Sequence, residues 1–216
     1  GIDSERIRAA SGAILLAGLT TPDPAGTTIL RIRDFYGIVR ITVDPEANCR
    51  RMLHGVTLHG EQSLDPRLRD EPRTYFTRGG PIGEVFESRP KGSAGNVAIV
   101  GLGIGTLAAY ALPEERWTFY ELDPNVIRIA RDPNFFHYLA DSRAESTECV
   151  AGDARVRIRN APEHGYALIV LDAFGSDAVP VHLISREAIR LYLSKLEPGG
   201  LLVFNITNGY VDLEPV

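Results

Sequence analysis

A chain of 216 residues with 44% hydrophobic and 24% charged side chains has the make-up of a globular protein that can bury its own core. Its net charge of −5, with no basic stripe, argues against a nucleic-acid partner. No run approaches the roughly 20 apolar residues of a membrane span, and no basic start with a cleavage site marks a signal peptide, so the segment reads as cytoplasmic with no direct membrane insertion.

From residue 28 to 59 the chain alternates apolar and polar residues in short β-forming runs, "TTILRIRD", "YGIVRITVD", "CRRMLHG" and "VTLHG". Tyr36-Gly37, Asp44-Pro45 and His54-Gly55 break them, which predicts a small antiparallel domain of about four strands. "EQSLDPRLRDEPRTYF" (61–76) is too polar and proline-broken for a regular element and is expected to pack over the next domain; "PIGEVFESR" starts a helix, and "PKGSAG" (90–95) is a loop. Beyond it, apolar strands at 96–102, 116–122, 147–152, 167–173 and 201–207 alternate with helices at 105–112, 124–131, 154–160 and 185–196. Such alternation predicts a doubly wound, mostly parallel Rossmann-like sheet covered on both faces. The expected division is an N-terminal β-hairpin domain and substrate-covering segment (1–90), then a cofactor-binding catalytic domain (91–216).

Ligands of such sheets bind at the carboxyl ends of the strands. The first strand ends in Gly101-Leu102-Gly103-Ile104-Gly105, a turn open enough for backbone amides to approach a ligand. Glu121, twenty residues after Gly101, stands where a carboxylate accepts ribose hydroxyls, with Asp123 beside it. The third strand ends in Gly152-Asp153-Ala154 and the fourth in Asp172, with Asp177 beyond it. Asp153 also suits a helix N-cap, and Asp172 and Asp177 suit turns. All four ends meet at one crevice, however, which favours a nucleoside-type site. The dinucleotide fingerprint is GxGxxG/A, whereas these glycines fall as GxGxG with Thr106 at the third-glycine position. A second acid at Asp153, suited to an adenine amino group, points instead to an S-adenosyl sulfonium cofactor. Cys49 and Cys149 lie outside any metal-ligand spacing, and no metal is expected. His54 and His59 read as structural or solvent-facing, His182 as a neighbour of the crevice, and Trp117 as core.

"VAIVGLGIGTLAAY", "FYELDPNVIRIARD", "AGDAR", "LIVLDAFGSDAVPVHLISREAIRLYLSKLEPGGLLVFNITN" and the upstream "LHGVTLHGEQ" resemble the spermidine synthase (polyamine aminopropyltransferase) family over roughly residues 28 to 216. The nearest likeness is to divergent bacterial members, often fused to membrane transporter segments. The resemblance implies a class I methyltransferase fold and transfer of an aminopropyl group from decarboxylated S-adenosylmethionine to an amine such as putrescine. It assigns Gly101, Gly103, Gly105, Glu121, Asp123, Asp153, Ala154 and Asp172 to the nucleoside. Asp172 matches the first acid of the family's motif after the fourth strand and Asp177 the second, the presumed base; both are implied to be catalytic, and Tyr75, Gln62 and Asp177 face the substrate amine. The amine attacks a methylene beside the sulfonium; the thioether leaves uncharged and needs no acid, but an alkylammonium near pKa 10 must first lose a proton.

Three departures stand out. Where the family's glycine turn carries an acid for the aminopropyl amine, this chain has Ile104. Asp172 and Asp177 are five apart rather than spaced DxxD, and the family's "YHE" reads Tyr75-Phe76-Thr77. These losses leave two alternatives beside aminopropyl transfer: methyl transfer from S-adenosylmethionine, and a non-catalytic nucleoside- or polyamine-binding regulatory domain. A complete class I sheet continues past its fifth strand, whereas this sequence stops at "GYVDLEPV"; a further segment or a partner, as in a homodimer, is expected to cover that edge.

Overall fold

The computed structural model describes residues 22–23, 26–89, 95–173 and 180–205. Five antiparallel strands come first, paired in chain order: β1 (Pro22–Asp23), β2 (Gly26–Asp34), β3 (Gly37–Asp44), β4 (Cys49–His54) and β5 (Thr57–Ser63). The expected four are present, and a two-residue strand extends the edge. The polar stretch 61–76 gives its first three residues to β5 and its last three to a 3₁₀ turn, Thr74–Phe76. Helix α1 (Pro81–Glu87) begins with proline at its first position, where the missing N–H costs no helical bond.

The second sheet is all parallel, in the order β10-β9-β6-β7-β8: β6 (Asn96–Val100), β7 (Arg116–Glu121), β8 (Ser146–Ala151), β9 (Tyr166–Leu171) and β10 (Leu196–Phe204). From β6 the chain winds one way through β7 and β8, then returns to lay β9 and β10 on the other side. The reversal opens a crevice at the carboxyl end of β6. The helices are α2 (Pro124–Arg131), α3 (Ala154–Arg157) and α4 (Arg186–Lys195), capped at their N-termini by Asp123, Asp153 and Ser185. Instead of the expected helix over 105–112 there is only a 3₁₀ turn, Thr106–Tyr110. It starts from Gly105 in the left-handed region and stops before Pro113, whose ring cannot continue a helix. The expected helix at 154–160 is likewise one α-turn followed by a 3₁₀ turn, Ile158–Asn160.

Strand alternation sends Val97 and Ile99 of β6 to one face of the parallel sheet and Ala98 and Val100 to the other. The first face meets the antiparallel sheet: Val39, Ile41 and Met52 join Trp117, Phe119 and Val170 in one core. α4 covers the second face through Ala188 and Tyr192. Polar ties fix the antiparallel sheet over the crevice. Asn125 Nδ2 donates to Asp34 Oδ2 (2.6 Å), Arg50 donates to the Phe135 carbonyl, and the buried Tyr138 hydroxyl reaches the Glu61 carbonyl of β5 (3.3 Å). No helix among the described residues is long and apolar enough to cross a membrane.

Candidate active site

The carboxyl ends of β6, β7, β8 and β9 form the floor of a cleft, and the inner face of the antiparallel sheet forms its roof. Gly101, Leu102, Gly103, Glu121, Asp123, Asp153, Ala154 and Asp172 line the floor; Tyr36, Val39, Met52, His54 and His59 line the roof. Pro180, His182 and Leu183 close the side next to Asp153.

Two glycines set the spacing. A Cβ on Gly101 (φ +98°) would stand 2.4 Å from the Asp172 carbonyl, so β6 and β9 can end this close together only around glycine. A Cβ on Gly103 (φ +55°) would stand 2.8 Å from the His59 carbonyl, so floor and roof touch there for the same reason.

Glu121 spans the turn. Its Oε2 accepts the Leu102 N–H (3.0 Å) and its Oε1 the Asp123 N–H (2.9 Å). Burial raises its pKa and these N–H groups draw it back. Each oxygen keeps a second lone pair, which suits the two hydroxyls of a ribose. Asp123 caps α2 through Oδ1 (2.7 Å to Asn125 N), while its Oδ2 is buried without a partner. Burial raises the Asp123 pKa and the Asn125 N–H lowers it, with neighbouring Asp34 adding to the rise. Asp153 caps α3 through Oδ1 (3.0 Å to Val156 N) and turns Oδ2 to His182 Nε2 (3.0 Å).

Asp172 lies at the mouth of β9. Desolvation pushes its pKa up to about 7, against the pull of Asn205, whose Nδ2 donates to Oδ1 at 2.6 Å. Tyr75 sits on the Thr74–Phe76 turn and is not among the residues that line the cleft; burial raises its phenol pKa, and the negative charge of Asp172 adds to the rise. Thr74 holds a left-handed φ of +61°, unusual for a β-branched residue, immediately before this tyrosine.

The sequence-derived set is therefore brought together only in part. Gly105 shapes the turn without lining the cleft. Gln62 is buried and does not line it either: Nε2 donates to the Arg69 carbonyl (2.7 Å) and Oε1 accepts the His137 N–H (3.0 Å), so the amide holds two loops rather than an amine. Asp177 lies outside the described residues. His54 and His59, read from sequence as structural or solvent-facing, both line the cleft. Ile104 turns away from it. Its side chain is 0% exposed, and its Cγ1 lies 2.6 Å from where a Cβ on Gly60 would stand, so it locks the glycine turn under β5. Among the described lining residues there are four carboxylates, three histidines and no lysine or arginine. No group of three or more described His, Cys, Asp or Glu side chains is arranged to hold a metal ion.

No family model matches the chain. It is 33% identical over 200 residues to a polyamine aminopropyltransferase of Vibrio vulnificus (strain CMCP6), covering 88% of this chain and 64% of that protein. It thus spans slightly under two thirds of that relative's length. Among solved structures, a probable spermidine synthase from Corynebacterium glutamicum ATCC 13032 superposes with a TM-score of 0.64 at 20% identity, covering 84% of this chain and 64% of the other. A spermidine synthase in complex with the transition-state analogue AdoDATO superposes with a TM-score of 0.52 at 16% identity, over 79% of this chain and 53% of that one. These two share the fold.

Proposed function

We propose that the chain, which is similar over most of its length to a polyamine aminopropyltransferase, transfers an aminopropyl group from decarboxylated S-adenosylmethionine to a small primary amine such as putrescine. The observation that carries this reading is the charge of the cleft: Glu121, Asp123, Asp153 and Asp172 line it, and no lysine or arginine does among the described residues. Both substrates are cations, one a sulfonium with an ammonium-ended tail and the other an alkylammonium. A cleft lined by one sign of charge between low-dielectric walls concentrates ligands of the opposite sign.

The donor's ribose is assigned to Glu121 and its adenine to the Asp153–Ala154 end. The methylene beside sulfur then falls near Gly101 and Asp172. Asp172 is the base. With a pKa of about 7 it is about half ionised at neutral pH, and its ionised form is basic enough to take a proton from a substrate ammonium held against it. The freed nitrogen lone pair forms the N–C bond as the C–S bond breaks. The bonding electrons go to sulfur, which departs as the neutral thioether methylthioadenosine, and the proton passes from Asp172 to solvent. Tyr75, whose phenol feels the charge of Asp172, is assigned to the amine, and Asp177, outside the described residues, is assigned the part of the second acid. Alignment of nitrogen, carbon and sulfur supplies much of the rate.

Incubation with decarboxylated S-adenosylmethionine and putrescine, read by mass spectrometry, tests the reaction. Methylthioadenosine and an aminopropylated amine in equal amounts support it. A methylated amine with S-adenosylhomocysteine, formed from intact S-adenosylmethionine, replaces it with methyl transfer. Adenosyl binding with no product from putrescine and either donor leaves a binding domain.

A further inference from the structure

Position 104 offers the donor's tail nothing, since Ile104 is wholly buried against Gly60. The roof holds a different group over the same turn. Strand β5 pairs Leu58 with Leu53 and Gly60 with Met52, so His59 is the extra residue of a β-bulge, with no cross-strand partner. A bulge bends the strand and re-aims one side chain, and bulges concentrate beside active sites. Here the bulge brings the His59 carbonyl against Gly103 and puts the imidazole among the residues lining the cleft.

The ring has no protein partner for its inner nitrogen. His59 Nε2 is buried and makes no hydrogen bond, although the neighbouring His54, with ring centroids 5.6 Å apart, places its own Nε2 at 2.8 Å from the Tyr36 carbonyl. An unmet buried nitrogen costs about 1–3 kcal/mol and calls for a partner. Burial, and secondarily the charge of His54, lowers the His59 pKa to about 4, so the ring is neutral and can accept a hydrogen bond at neutral pH. A carboxylate-ended tail would meet four carboxylates and no lysine or arginine among the described residues of this cleft, which leaves an ammonium-ended tail as the fitting one.

We propose that His59 is a substrate-binding residue, its imidazole nitrogen accepting a hydrogen bond from the terminal ammonium of the donor's tail. This rests on the adenosyl-donor reading above. In this chain the tail contact comes from the roof, through a bulge, and not from the glycine turn.

Calorimetric titration with three probes tests it: methylthioadenosine, which has no tail ammonium; decarboxylated S-adenosylmethionine, which has one; and S-adenosylmethionine. In the wild-type protein the decarboxylated donor binds tightest of the three. His59→Phe keeps the ring volume without the nitrogen, and is expected to weaken the decarboxylated donor about tenfold, or about 1.4 kcal/mol, with methylthioadenosine changed less than about twofold. His59→Gln, which restores a neutral acceptor, recovers most of the loss. Equal weakening of all three probes assigns His59 to the nucleoside or to the fold and overturns the proposal, as does no weakening at all. Failure of the wild-type protein to bind methylthioadenosine defeats the adenosyl reading itself. Methylthioadenosine binding as tightly as the decarboxylated donor defeats only the tail contact.

Discussion

Floor and roof of the cleft are built on different rules. Each acid of the floor stands where a parallel strand ends, and two of them, Asp123 and Asp153, also cap the next helix. Their positions are set by topology. The roof is a set of antiparallel hairpins whose contribution depends on register: one bulged residue decides that His59 enters the cleft. The floor therefore supplies charge and the roof supplies apolar surface and imidazole. On the proposed function the floor carries the chemistry and the roof the discrimination between donor tails.

The sharpest way to break this division is at Asp172. Asp172→Asn should lower turnover by about 10²–10⁴-fold, the usual worth of a positioned base, with methylthioadenosine affinity almost unchanged in the same preparation. Its stability should move the other way. A carboxyl whose pKa is raised on folding keeps a proton that the unfolded chain releases, so its cost appears as pH rises from about 4 and is complete above about 7. At pH 8 the Asn variant should therefore be the more stable, by up to about 4 kcal/mol in denaturant unfolding. A variant that is slower and no more stable would remove the buried charge from this picture.

The seam between floor and roof comes next. Ile104→Asp recreates the family's acid in the glycine turn, but here it buries an unpaired carboxylate against Gly60. A loss of about 3–5 kcal/mol in unfolding free energy, with no gain in donor affinity, is the expected result; tighter donor binding would return the tail contact to the floor. Gly103→Ala, with φ at +55° and the His59 carbonyl in the way, should cost about 1–3 kcal/mol and weaken donor binding, because floor and roof must separate. The smallest effect is at Asn205. Asn205→Ala removes the hydrogen bond that holds the Asp172 pKa down, so the acid limb of the pH–rate profile should move upward by about one unit. A downward shift would contradict the pairing.

The floor was legible in the sequence and the roof was not. Near-continuous apolar strands, their helical partners and the acids at four strand ends can be read from composition and spacing, and Glu121, Asp153 and Asp172 all reach the cleft as read. Alternation also gave the hairpins. It could not show that one residue of β5 is extra, and so His59 seemed to belong to a strand face like any other. The same blindness hid the packing role of Ile104: linear spacing gives its place in the turn, not that Gly60 leaves a socket for it. Gln62 misled for the opposite reason, since only the fold reveals that Arg69 and His137 occupy both ends of its amide.

On the proposed function, Asp172, poised near neutrality in a cleft lined by no described lysine or arginine, deprotonates the incoming amine. The pH dependence of aminopropyl transfer at saturating donor and amine tests it most directly. Product formation should rise through an acid limb near pH 7 in the wild-type protein, and that limb should vanish from the residual rate of Asp172→Asn. An acid limb that persists unchanged in the Asn variant, or a wild-type rate flat from pH 5 to 8, would contradict it.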